Sequence, residues 1–214
     1  MDETARLSTV IGNIYDAALD PAVWNTAICE ARDFVGGSAA SIFAKDVAQT
    51  TLTVYHHDGG IGPDFVRSYL EGYMALDPAN TAHFFSSLET PMSTIDVIDF
   101  DEFHETRFYK EWAAPQGLVD FITIALEKTP TGAAHFGVFR GVRDGIADEG
   151  AKRRMTLIAP HVRRAVLIGN AIEMKASEIA SFADTLDGLS AAMYLVQANG
   201  RIVHANAAGH MLLA

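Results

Sequence analysis

The chain has 214 residues, 49% of them apolar and 20% charged, with a net charge of −11. That supports a real hydrophobic core and one to two domains, and it argues against a duplex-binding surface, which needs clustered Lys and Arg. The single cysteine, Cys29, excludes an internal disulfide and any Cys-rich metal site.

Reading along the chain, Leu7, Val10, Ile11, Ile14 and Ala18 recur at helical spacing. Asp20-Pro21 supplies a cap and a first-turn proline for a second helix that carries Trp24, Ala27, Ile28, Ala31 and Phe34 on one face and ends at Gly36-Gly37. Ala39–Ala44 and Thr51–His56 read as a hairpin joined by polar residues. A helix is expected over Asp64–Ala75, closed by Asp77-Pro78. A strand is expected around Ser93–Ile98 and a helix around Glu102–Ala113, ending near Pro115-Gln116-Gly117. Two longer strands follow, Leu118–Glu127 and Ala133–Val142, with a Thr129-Pro130-Thr131-Gly132 turn between them. This order predicts an α/β (α+β) domain, a mainly antiparallel sheet flanked by helices, over residues 1–147.

From Asp148 to about Leu186 the pattern is helical, with Pro160 expected to kink it or divide it. A heptad frame fits: Ile158, Ala165, Ile172, Ile179 and Leu186 form one seam; His161, Ile168, Lys175, Phe182 and Leu189 form the other. Two readings stand, a helix packed on its own domain and a linker that forms a homodimer over 148–187. Beyond it, Ala191–Gln197 and Arg201–Ala205 read as strands around Asn199-Gly200, and Asn206 caps a helix. Residues 188–214 are too few to bury a core of their own, so they are expected to open a further, incomplete domain.

No nucleophile elbow, phosphate-binding loop or dinucleotide fingerprint is present, and none of the eight histidines has metal-ligand spacing. The chain is not expected to be an enzyme, and no cofactor is implied. The acidic run Asp96, Asp99, Asp101 and Glu102 reads as helix capping. The start MDETARLSTV lacks the pattern of a secretory signal, and no stretch has the length of a membrane span; a cytoplasmic protein without membrane contact is expected.

The most specific pattern is Phe65-x3-Tyr69-x3-Tyr73-x3-Asp77-Pro78. Spacing of four puts three aromatics on one helix face and a carboxylate just past its end. Such a row can wall a small-molecule pocket, but aromatic faces more often serve packing, and the residues alone favour plain core with Asp77 as a turn former.

FVRSYLEGYMALDP, followed by FYKEWAAPQGL and IAPHVRRAVLIG, resembles the autoinducer-binding domain of LuxR-type regulators and the related GAF domains, over roughly residues 1–170. The resemblance implies a pocket for an apolar or acyl-homoserine-lactone-like ligand, with Phe65, Tyr69, Tyr73, Asp77 and Trp112 as candidate contacts. Phe65 stands where that family carries a tryptophan. LDGLSAAMYLVQANGRIVHANAAGHMLLA is similar to the opening of a PAS domain. Together they imply the ligand-sensing and dimerising region of a transcriptional regulator, with DNA bound only through a C-terminal domain absent from this sequence. The alternative is an interaction and dimerisation scaffold that binds no ligand.

Overall fold

The computed structural model describes residues 2–46, 51–85 and 87–213; the polar turn expected after the first strand falls at 47–50, outside the described residues. The chain divides into two compact units, one through Leu167 and one from Ile168 onward.

In the first unit, helices α1 (Glu3–Leu19) and α2 (Trp24–Val35) are followed by strands β1 (Ala39–Asp46) and β2 (Thr51–His57). Asp20 caps the turn between the helices by accepting the Ala22 N–H. Helices α3 (Pro63–Glu71) and α4 (Ala79–Phe85), strand β3 (Pro91–Ser93), helix α5 (Phe100–Glu105), strands β4 (Leu118–Lys128) and β5 (Gly132–Gly141), and helix α6 (Glu149–Asp187) as far as Leu167 complete the run. The five strands form one antiparallel sheet in the order β2-β1-β5-β4-β3. The expected α+β architecture is therefore the observed one.

Side chains alternate across the sheet, and the two faces do different work. Ala40, Ile42, Ile122, Ile124, Phe136 and Val138 point into a core shared with Ile14, Ile28 and Val35 of α1 and α2 and with Met155, Ile158 and Val162 of α6. These side chains are almost wholly buried, and each large one stabilises the fold by about 1.5–3 kcal/mol relative to exposure. The opposite face carries Ser41, Phe43, Lys45, Phe121 and Phe139, and faces a cavity.

Four expectations need correction. The helix expected over 64–75 stops at Gly72 and gives way to a 3-10 turn over Tyr73–Ala75, glycine being a poor helix former. A further helix, α4, then stands where none was expected. The strand expected over 93–98 lies earlier, because Ser93 and Asp96 form a reciprocal capping box that turns the chain into a 3-10 turn over Thr94–Asp96. The helix expected over 102–113 breaks at Thr106, whose hydroxyl accepts the Tyr109 N–H and restarts the chain as a π turn over Tyr109–Ala113. Pro160 does not divide α6, which runs unbroken through it; proline removes one backbone donor, and burial of Ile158, Ala159 and Val162 around it holds the helix in place.

Up to Ala165 the seam of α6 belongs to the first unit's own core. In the second unit, the later positions Ile172, Ile179 and Phe182 are 44%, 70% and 58% exposed, so the described residues leave the heptad face there largely open. Strands β6 (Tyr194–Val196) and β7 (Ile202–Ala205) pair as a hairpin, shorter at β6 than expected, and α7 (Ala207–Leu213) follows. Gly200 takes φ +85° in the turn, as the Asn-Gly pair requires. Asn206 is fully buried: its Oδ1 accepts from Met193 and Gly209 N–H while its Nδ2 donates to the carbonyls of Leu186 and Ala191.

Candidate ligand-binding site

The free face of the sheet, α3 and the segment around Trp112 enclose a cavity of about 670 Å³. Aromatics dominate its walls: Phe43 and Phe121 rise from the sheet, Trp112 and Phe108 stack with ring centroids 5.1 Å apart, and Tyr69 lies 5.2 Å from Trp112. Gly137 makes the floor possible, since a Cβ there would lie 2.5 Å from the Phe121 ring and 3.1 Å from that of Phe43. A mostly apolar concavity of this size with a few convergent polar groups is the usual form of a small-molecule site.

The convergent groups are Lys45, Tyr69 and Asp77, with Asn80 bonded to Lys45. The Tyr69 hydroxyl donates to Asp77 at 2.8 Å and accepts from the Lys45 ammonium at 2.9 Å. Lys45 also donates to Asn80 Oδ1 at 2.8 Å, and Asp77 Oδ2 stands 3.8 Å from it. Asp77 in turn accepts the Ala79 N–H and so caps the start of α4. Burial pulls the Lys45 ammonium below its ordinary value, against the attraction of Asp77. Burial, reinforced by the Asp77 charge and hydrogen bond, pushes the Tyr69 phenol well above its ordinary range, so it stays a neutral donor.

Of the five residues singled out by sequence, Tyr69, Asp77 and Trp112 meet at this cavity. Phe65 does not line it: it packs against the cluster of Phe103, Phe108 and Trp112 that does, and its carbonyl accepts the Trp112 indole N–H at 2.9 Å. Tyr73, displaced by the break at Gly72, points its hydroxyl to Glu111 on an exposed face. Sequence reasoning missed Lys45 and Asn80. The alternation Ser41, Phe43, Lys45 on β1 carried the signal, since it places the lysine on the same face as a buried phenylalanine.

A second polar anchor is Asp120, whose buried carboxylate accepts backbone N–H groups from Thr94, Phe121 and Ala147. Among the described residues no group of three or more His, Cys, Asp or Glu is placed to hold a metal, and no helix is long and apolar enough to cross a membrane.

No family model and no curated protein matches the sequence. Solved structures do match the fold. The LBD domain of VqsR from Pseudomonas aeruginosa aligns with a TM-score of 0.62 at 11% identity, covering 77% of this chain and 96% of that one. CepR2 from Burkholderia cenocepacia, an N-acylhomoserine lactone dependent LuxR family transcription factor, aligns at 0.53 and 14% identity, covering 76% and 99%. SdiA from Escherichia coli aligns at 0.52 and 16% identity, covering 79% and 69%. Over about three quarters of its length, this chain has the fold of the LuxR-family sensor domain.

Proposed function

We propose that this chain is the ligand-sensing and dimerising region of a LuxR-type transcriptional regulator acting in the cytoplasm, and not an enzyme. The observation that carries the reading is the aromatic cavity with Lys45, Tyr69 and Asp77 gathered at its wall. A small amphiphile, apolar or of the acyl-homoserine-lactone kind, fits such a site, with Tyr69, Asp77 and Trp112 in contact and Phe65 and Tyr73 supporting from outside. One structure of SdiA, aligned at a TM-score of 0.54, is a complex with octanoyl-rac-glycerol, which gives a like fold one amphiphilic occupant. The sensor corresponds to residues 1–147, a linker helix to 148–187 and a PAS-like opening to 188–214. The exposed heptad face at Ile172, Ile179 and Phe182 supports pairing with a second copy. With a net charge of −11, DNA contact falls to another part of the regulator.

The test is a thermal-shift panel of uncharged and charged amphiphiles on the purified chain, with native mass spectrometry of whatever co-purifies. Binding of a ligand to the folded state alone raises the melting temperature. A saturable rise, lost on Asp77→Asn, is the expected result. A panel without any shift, together with a chain that carries nothing from the cell, leaves the scaffold as the better reading.

A further inference from the structure

The cluster at Lys45 has a definite hydrogen-bonding capacity. An ammonium carries three N–H donors; Tyr69 and Asn80 take two, at 2.9 and 2.8 Å. Asp77, at 3.8 Å, balances the charge but stands outside hydrogen-bond reach. Asp77 is itself occupied by the Tyr69 O–H and the Ala79 N–H, and the Tyr69 oxygen already donates once and accepts once. Lys45, which lines the cavity, thus keeps one N–H that neither Tyr69 nor Asn80 takes.

The other lining charges are already committed. Asp58 pairs with Arg32 at 2.8 Å, and Arg67 pairs with Asp64 in an exposed position. Asp120 is held by three backbone N–H groups. His57 accepts the Gly59 N–H at Nδ1. Among the described residues, the lining cations Lys45 and Arg67 each already face a carboxylate, Asp77 and Asp64, so a second carboxylate beside Lys45 adds a buried negative charge that nothing balances. An uncharged oxygen acceptor meets a charged donor, the stronger kind of hydrogen bond.

We propose that Lys45 is the specificity-determining residue of the cavity, held in place by Asn80, and that it selects an uncharged acyl amphiphile. The carbonyl oxygen of an amide or ester accepts the remaining N–H, while the tail lies along Phe43, Leu52 and Val54; the corresponding free carboxylate is rejected. This inference rests on the ligand-binding reading above and adds the head-group class and the residue that reads it.

The test is displacement of N-phenyl-1-naphthylamine, an uncharged apolar fluorophore, from the full chain by decanamide, methyl decanoate and sodium decanoate near neutral pH. The amide and ester are expected to bind at least about tenfold tighter than decanoate. In Lys45→Met/Asp77→Asn, which removes both charges together, amide and ester affinity falls by about tenfold or more relative to the fluorophore's own affinity for the same variant. Asn80→Ala, which keeps both charges, weakens the amide severalfold and decides the matter should the double variant fail to fold. Decanoate binding as tightly as decanamide, or amide affinity unchanged in the folded variants, overturns the head-group assignment alone. A wild-type chain that takes up neither fluorophore nor amphiphile overturns the ligand-binding reading and this inference with it.

Discussion

The indole N–H of Trp112 donates to the backbone carbonyl of Phe65 at 2.9 Å, tying the π turn to the first turn of α3 across 47 positions. That bond fixes one wall of the cavity without either partner needing to touch a ligand. Trp112→Phe removes the donor and part of a buried ring, and should destabilise the chain by about 1–3 kcal/mol. Urea unfolding monitored by circular dichroism measures this; a loss below about 0.5 kcal/mol, the scale of an ordinary surface change, contradicts a supporting role.

Gly137 offers a different kind of check. A methyl group there collides with Phe121 and Phe43, both of which line the cavity. Gly137→Ala should cost about 1–3 kcal/mol through overpacking, and the displaced rings should shrink the cavity. Fluorophore uptake should fall more than global stability does, which comparison of binding and melting on the same sample will show.

Asp96 provides the pH dependence. Burial works to raise its carboxyl, but hydrogen bonds from Lys152 and from Ser93 outweigh it and hold the group below its ordinary value of 3.8. A carboxyl depressed in the folded state stabilises the fold above its unfolded value, and that contribution is lost as pH falls through the folded value. Asp96→Asn should therefore melt below wild type near neutrality, with the difference closing below about pH 3.8. Parallel melting curves across that range would deny the carboxylate its role.

On the exposed half of α6, Ile172 and Ile179 stand a heptad apart and the described residues leave both exposed. If a second copy covers them, Ile172→Glu/Ile179→Glu should convert a dimer to a monomer of unchanged helicity. Light scattering after gel filtration reads this directly; a wild-type chain that elutes as a monomer at high concentration removes the dimer from the proposal.

Much of the sensor fold is readable from period alone. Ile14, Ala18, Ile28 and Phe34 announce buried helix faces, and the alternation in β4 and β5 announces strands that cover a core. What escaped was local: Gly72 and Thr106 each end a helix whose aromatic period continues past them. The error mattered at the site, because a continuous helix would have carried Tyr73 beside Tyr69, and the break sends it toward Glu111. Lys45 escaped for another reason. A lysine near a strand end usually marks solvent, and only the closure of α3 and α4 over β1, bringing Tyr69 and Asn80 to its ammonium, makes it internal.

The three N–H groups gathered by Asp120 come from the turn after β3, from β4 itself and from Ala147, two residues ahead of α6. One side chain thus fastens the lining of the cavity to the head of the long helix. That fastening runs beside the apolar layer beneath the sheet and not through it, so Asp120→Asn, which leaves the layer intact, loosens the wall and the helix start together.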